Sequence, residues 1–313
     1  MDYYPFFRGK QYELICIREN SSLIAANGFT PILEPVRSDL PGIKRCLEAI
    51  AAAGAKLLII ENPGCGALLD GVSPAIRELV DGFRDEGVAV EWLHRYGTGS
   101  GVAAFLDREE GGVVLHDSPT AAREIKAAEA ETGWRATKHI FVDHKASGLL
   151  YRRQFSGIGR VILQDGFRKK KNAAYLEDPV EHYSDLYITY QDMGMQGFGD
   201  FLTVGDDYSE GGGPAYAVAI HITFVDPERE GSLLLRHFVS DSNETPADPA
   251  GKFGEALSKL AQEVRASGSK IPATKAIREF LELHDRGHYP GLGYVKKLSM
   301  QHHLEMMALL AAA

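Results

Sequence analysis

Acidic and histidine side chains recur at one place in the pattern of this chain, immediately after short apolar runs. Read as strands, the first four runs end in Arg18-Glu19, Glu34, Glu61-Asn62 and His94-Arg95. The next three end in His116-Asp117, Asp143-His144 and Asp165, and an eighth begins at Gly199-Asp200-Phe201. Carboxylates brought together repel one another unless a cation, a shared proton or a neighbouring Arg or His neutralises them. Glu34, Glu61, Asp143 and Asp165 are therefore candidate ligands of a divalent metal, Mg or Mn, because hard cations take oxygen ligands. His94, His116 and Asp143 are the candidate catalytic groups, with the histidines as general acid or base. Candidates for holding substrate are Arg18, Asp165, Lys169, Lys170, Lys171, Asp200 and His288. Arg18 and the lysine run would take phosphate oxygens, since barrels often bind phosphate with the loops after strands seven and eight.

Plainer readings stand beside these. Asp117 ahead of Ser118-Pro119 reads as a helix cap. The run Arg168–Lys171 also suits a solvated helix start. Gly211–Gly213 permits loop closure or is simply a surface connection. The stretch from His284 to Tyr294 gathers two histidines, an arginine and two tyrosines around a Gly-Pro turn, which suits a binding surface or a subunit contact.

The elements that would position these groups alternate. Strand-like runs fall at Leu14–Ile17, Pro31–Leu33, Leu57–Ile60, Val88–Leu93, Val113–Leu115, His139–Val142 and Val161–Leu163. Phe201–Val204 is the candidate for the eighth. Amphipathic stretches at Leu40–Ala53, Pro74–Arg84 and Ala121–Glu131 lie between them, with Gly54, Gly87 and Gly133 where C-caps belong. Unbroken apolar strands are buried on both faces, as in a parallel sheet. About eight of them alternating with helices predict an α/β fold, a (β/α)8 TIM-like barrel forming one domain over 1–313. Tyr216–Val225 and Ser232–Val239 alternate around Asp226-Pro227-Glu228-Arg229, which predicts a hairpin inserted after the last strand, at about 214–241. Extra C-terminal helices are expected over about 250–313, at Phe253–Ala266, Thr274–His284 and Tyr294–Leu310.

Composition removes some functions. The 313 residues carry a net charge of −9 with no sustained basic stripe, which argues against extended nucleic-acid binding. No apolar stretch approaches the roughly 20 residues that span a bilayer. The start, Met1-Asp2-Tyr3-Tyr4-Pro5, has no basic region ahead of an apolar run, and the three cysteines lack metal-site spacing. A cytoplasmic protein is expected. There is no Walker A loop, no GxGxxG opening a helix, no HExxH and no GxSxG elbow, hence no nucleotide-cofactor motif.

Phe6–Glu13 (FFRGKQYE), Pro31–Pro35 (PILEP) and Gly199-Asp200-Phe201 resemble the "Beta protein" family of phages and bacteria. Within it the chain is most similar to an uncharacterised bacterial branch carrying GFGDFLTVGDDYSEGGGPAYA (Gly197–Ala217) and HYPGLGYVKKLSMQHH (His288–His303). The resemblance spans almost the whole chain. It implies a barrel-like α/β fold and a home in mobile or phage-defence gene clusters, and it carries over no catalytic residues.

Three functions are compatible with these residues. The first is a metal-dependent hydrolase acting on a phosphoester or nucleotide-type substrate, with a small phosphorylated molecule as partner. The second is a non-catalytic binding or sensor subunit, in which the hairpin and the His/Tyr stretch meet a protein partner or a second copy in a homo-oligomer. The third is glycoside hydrolase-like chemistry, which needs two carboxylates across a sugar and aromatic platforms, for which Trp92, Trp134 and Tyr96 are a thin supply.

Overall fold

Leu57–Ile60 has no polar face, so a strand there must be covered on both sides. The protein meets that demand by placing it inside a closed parallel sheet. The computed structural model describes residues 1–96, 111–118, 122–145 and 148–312. The barrel strands are β1 (Phe6–Arg8), β2 (Ile32–Glu34), β3 (Leu57–Ile60), β4 (Val90–Tyr96), β5 (Gly112–His116), β6 (Ala136–Val142) and β7 (Gly159–Gln164). The eighth is β9 (Gly197–Asp200); β8 (Val180–Ser184) belongs elsewhere. Every neighbouring pair in the order β1 to β7 and then β9 is parallel. The ring closes where Tyr4 N donates to Phe198 O at 2.8 Å and Phe198 N to Asp2 O at 3.0 Å. Gly199 makes this seam feasible, because a Cβ there would run into the Tyr4 carbonyl oxygen.

Between the strands lie α1 (Gln11–Glu19), α2 (Ser21–Ala26), α3 (Leu40–Ala53), α4 (Pro74–Asp85), α5 (Ala122–Thr132), α6 (Leu149–Arg153) and α7 (Leu186–Thr189). Local chemistry sets the ends of α3. Asp39 caps it by accepting from Gly42 N at 3.0 Å, and Gly54 ends it at φ 64°. Ser73 and Pro74 start α4 in the same manner.

Two strand expectations fail. Leu14–Ile17 lies in α1, where Glu13, Leu14, Cys16 and Ile17 are buried at helical spacing. A four-residue apolar run does not distinguish a strand from a buried helical stripe. The first strand is instead the three-residue Phe6–Arg8, and the eighth is Gly197–Asp200 rather than Phe201–Val204.

The chain divides into two compact units. The first, Met1–Asp165 with Leu186–Phe201, is the barrel; the second is Gly166–Asp185 with Leu202–Ala313. The second unit holds the expected hairpin, β10 (Ala219–Asp226) antiparallel to β11 (Ser232–Val239), turning through Glu230 at φ 58° and Gly231 at φ 81°. β8, unforeseen in the sequence, pairs antiparallel with β11 on its other side. Alternate residues such as Ile220, Ile222, Phe224, Leu234 and Phe238 pack against α8 (Pro249–Arg265), α9 (Lys275–Asp285) and α10 (Leu292–Ala312). Among the described residues no helix is long and apolar enough to cross a membrane.

Candidate functional site: the mouth of the barrel

Side chains alternate along a strand, so neighbours in sequence face opposite sides of the sheet. Phe6, Ile32, Ile60, Leu93, Leu115, Val142 and Leu163 pack with one another in the barrel interior. Two residues further on come Arg8, Glu34 and Arg95 within their strands, and Asn62, Asp117, His144 and Asp165 just beyond the ends of theirs. Apolar layers thus give way to a polar one at the C-terminal ends of the strands, the end where barrels of this kind build their sites.

The polar layer is a chain of ion pairs. Glu34 is fully buried. Its Oε2 lies 3.5 Å from Arg8 Nε, and its Oε1 accepts from Arg95 Nη1 and, at 2.8 Å, from Gly64 N. Arg95 reaches the other way to Asp117, donating from Nε at 2.8 Å and also from Nη2. Lys145 Nζ stands 3.1 Å from Asp117 Oδ1. Asn62 holds the backbone of Arg95 reciprocally, accepting from its N at 2.8 Å and donating to its O at 2.6 Å. The fully buried Glu34 and the partly buried Asp117 are therefore neutralised by two guanidinium groups and an ammonium. Cys65 Sγ donates to Glu34 Oε2 at 3.6 Å, and burial with the nearby Glu34 charge pushes its thiol up to about 11. That thiol is protonated and a poor nucleophile at neutral pH.

Of the other expected site residues, Glu61, His94, His116, Asp143 and Asp200 are engaged away from this chain of ion pairs. Glu61 binds His94 Nδ1 at 3.1 Å and Arg77 of α4 at 3.4 Å. His116 sits in an aromatic cluster, hydrogen-bonded to Tyr151 of α6 at 2.7 Å and to His139 at 2.9 Å. Burial, with His139 beside it, holds His116 well below the usual imidazole range. Asp143 pairs with Arg152 at 2.9 Å, and Asp200 accepts from Tyr3 at 2.9 Å. These contacts join barrel strands to their helices or to each other, and give His94, His116 and Asp143, the expected catalytic groups, structural partners. Arg18 is on α1, paired with Glu19 at 3.5 Å, and is not at a strand end.

Glu34, Glu61, Asp143 and Asp165 do not converge, because one-residue steps put Glu61 and Asp143 on the opposite face from Glu34 and Asp165. Among the described residues no group of three or more His, Cys, Asp and Glu side chains is placed to hold a metal. Of the expected metal set, Glu34 is met by Arg8 and Arg95, Glu61 by Arg77 and His94, and Asp143 by Arg152.

The basic run and His288 belong to the second unit. Lys169 donates to Asp207 O at 3.0 Å, Lys170 pairs with Glu181, and Lys171 is exposed. His288 is exposed between α9 and α10. Arg8, Asn62, Arg95, Asp117 and Lys145 were missed as site residues. Counting by twos from the apolar interior would have found Arg95 and Asp117, since His94 and His116 precede them by one.

The fold and this mouth define an α/β barrel of the TIM type. No model of a known protein family matches the chain, and no curated protein does. Among solved structures it is similar to a mandelate racemase/muconate lactonizing protein from Herpetosiphon aurantiacus, at 15% identity and a TM-score of 0.40. That match covers 75% of this chain and 59% of the other, so the chain spans less than two thirds of that protein's length. A likeness this distant carries no argument about chemistry.

Proposed function

We propose that the barrel mouth binds a small organic anion, a phosphate monoester first among candidates, and that phosphoester hydrolysis is the reaction it supports. The reading rests on one observation, the Arg8–Glu34–Arg95–Asp117–Lys145 chain capping an apolar barrel interior. A buried ion network is a poor device for stability, because well-packed apolar residues usually do as well or better. Its place at the C-terminal strand ends suits ligand binding. Guanidinium groups match the paired oxygens of phosphate. In the reaction water would add to phosphorus as the ester P–O bond breaks, and the leaving oxygen would take a proton. His144 and Asp165 are the groups proposed to move protons, while the cations offset charge growing on the phosphoryl oxygens. Membership of the "Beta protein" family belongs to the same proposal, on the two long motifs.

The test is calorimetric titration with inorganic phosphate and a phosphate monoester, alongside turnover of p-nitrophenyl phosphate. Lys145→Ala should weaken binding about tenfold, equivalent to roughly 1.4 kcal/mol, without unfolding the protein. Asp165→Asn should lose turnover while still binding phosphate. If neither ligand binds, the reading fails; binding without turnover reduces the mouth to a recognition site.

A further inference from the structure

Outside the barrel, the second unit contains a cavity of about 420 Å³ whose walls come from β11, α8 and the short helical turn Asn172–Leu176. It opens where β11 runs past the start of β8: Arg236 is the last β11 residue paired with β8, and beyond it His237 N donates to Pro179 O at 2.9 Å. Arg236, Lys259, His237 and Tyr175 line it together with a single acid, Glu263.

Each cation there is met by one partly or fully exposed carboxylate, Glu263 for Arg236 and Asp241 for Lys259. Arg236 Nε is buried with no hydrogen-bond partner among the described residues. Its Nη2 reaches Glu263 only at 3.4 Å, and that carboxylate is nearly half exposed. Lys259 Nζ is fixed at the rim by Val239 O and Asp241 Oδ1, both at 2.7 Å. His237 is held rigidly. Its Nε2 meets Glu181 Oε2 at 3.1 Å, its Nδ1 meets His221 Nδ1 at 2.7 Å, and Tyr175 stacks on its ring at 4.2 Å. A buried guanidinium N–H without an acceptor is costly, and the partly exposed guanidinium in the cavity wall, met by Glu263 only at 3.4 Å, has the fork geometry that favours the paired oxygens of an oxyanion.

We propose that this cavity is a second ligand site that takes a small oxyanion, a phosphate or carboxylate group, on Arg236 with Lys259 at its edge. Glu263 is the group the incoming anion displaces. Phosphate and carboxylate share this chemistry, so inorganic phosphate and malonate serve as separate probes.

Binding is read on the full chain by NMR of the His237 imidazole, which lies in the cavity wall, and by calorimetry. One or both probes should shift the His237 signal in a saturable way. Arg236→Gln should weaken that binding about tenfold or more. Glu263→Gln, which removes the competing carboxylate, should strengthen it severalfold. Lys145→Ala, in the barrel mouth, should leave it unchanged, which separates this site from the one proposed above. The proposal is overturned if neither probe shifts His237 at millimolar concentration, or if Arg236→Gln binds as tightly as wild type. Glu263 and Arg236 are both on partly exposed positions. A variant that fails to fold is replaced by Arg236→Lys, which keeps the charge and loses the fork, and should also bind more weakly.

Discussion

Gly64 lies against the guanidinium group of Arg95 so closely that a single added Cβ would overlap its Cζ and both terminal nitrogens. Gly64 N also donates to Glu34, the carboxylate that Arg95 binds. The loop after β3 is thus shaped around a side chain from β4. Alanine at this position has ordinary backbone conformation available, so the cost is steric. Gly64→Ala should destabilise the protein by about 1–3 kcal/mol, as overpacking does. Gly82→Ala in α4, where a Cβ would meet nothing, should instead be stabilising by about 0.5–1 kcal/mol. Urea unfolding of the two variants beside wild type checks this; a neutral Gly64→Ala would mean that Arg95 is not held in this pose.

Glu34 and Glu61 follow neighbouring strands but should respond differently to loss of charge. Glu34→Gln leaves Arg8 and Arg95 underpaired inside the barrel, a change worth about 3–5 kcal/mol. Glu61→Gln retains Arg77 over the Trp92 ring at 5.1 Å and should cost about 1–2 kcal/mol. Melting in EDTA and in Mn²⁺ extends the comparison. Glu61→Gln should be destabilised in EDTA and should not change whatever response wild type shows to Mn²⁺. A Mn²⁺ stabilisation abolished by Glu61→Gln would restore Glu61 as a metal ligand.

Two buried histidines make stability fall in mild acid. Burial, with the nearby Lys126 and Arg160 charges, lowers His139 to about 4, and burial lowers His302 to about 4. Their folded values lie below the unfolded value of about 6.5. The unfolded chain therefore binds more protons between pH 6.5 and 4, and stability drops as pH falls through that window. Each should remove about 2 kcal/mol between pH 7 and pH 5 by that linkage. His302 Nε2 donates to Thr223 O at 2.7 Å, so its replacement also loses a hydrogen bond at every pH. The diagnostic quantity is thus the pH slope. His139→Gln and His302→Gln should each flatten the curve of urea midpoint against pH. An unchanged slope would show that these groups do not titrate on unfolding in this range.

The sequence alone determined the helices whose ends are written locally. Asp39 and Gly54 bound α3, Ser73 and Pro74 start α4, and Thr274 caps α9 by accepting from Ile277 N at 3.2 Å. It also determined the repeating order of strand and helix, and the hairpin of β10 and β11, because those signals lie within a few residues of one another. The tertiary structure decided which polar residue at each strand end enters the barrel. His94 and Arg95 are adjacent and equally polar, yet only Arg95 meets Glu34, a partner 61 residues away. Which face a strand residue takes depends on register against its neighbours, and a shift of one residue exchanges the two faces. The short strands β1, β8 and β9 were decided in the same way. Three to five residues carry too little periodicity to announce a strand, and the hydrogen bonds that define them come from segments far along the chain, as when Tyr4 meets Phe198 to close the ring.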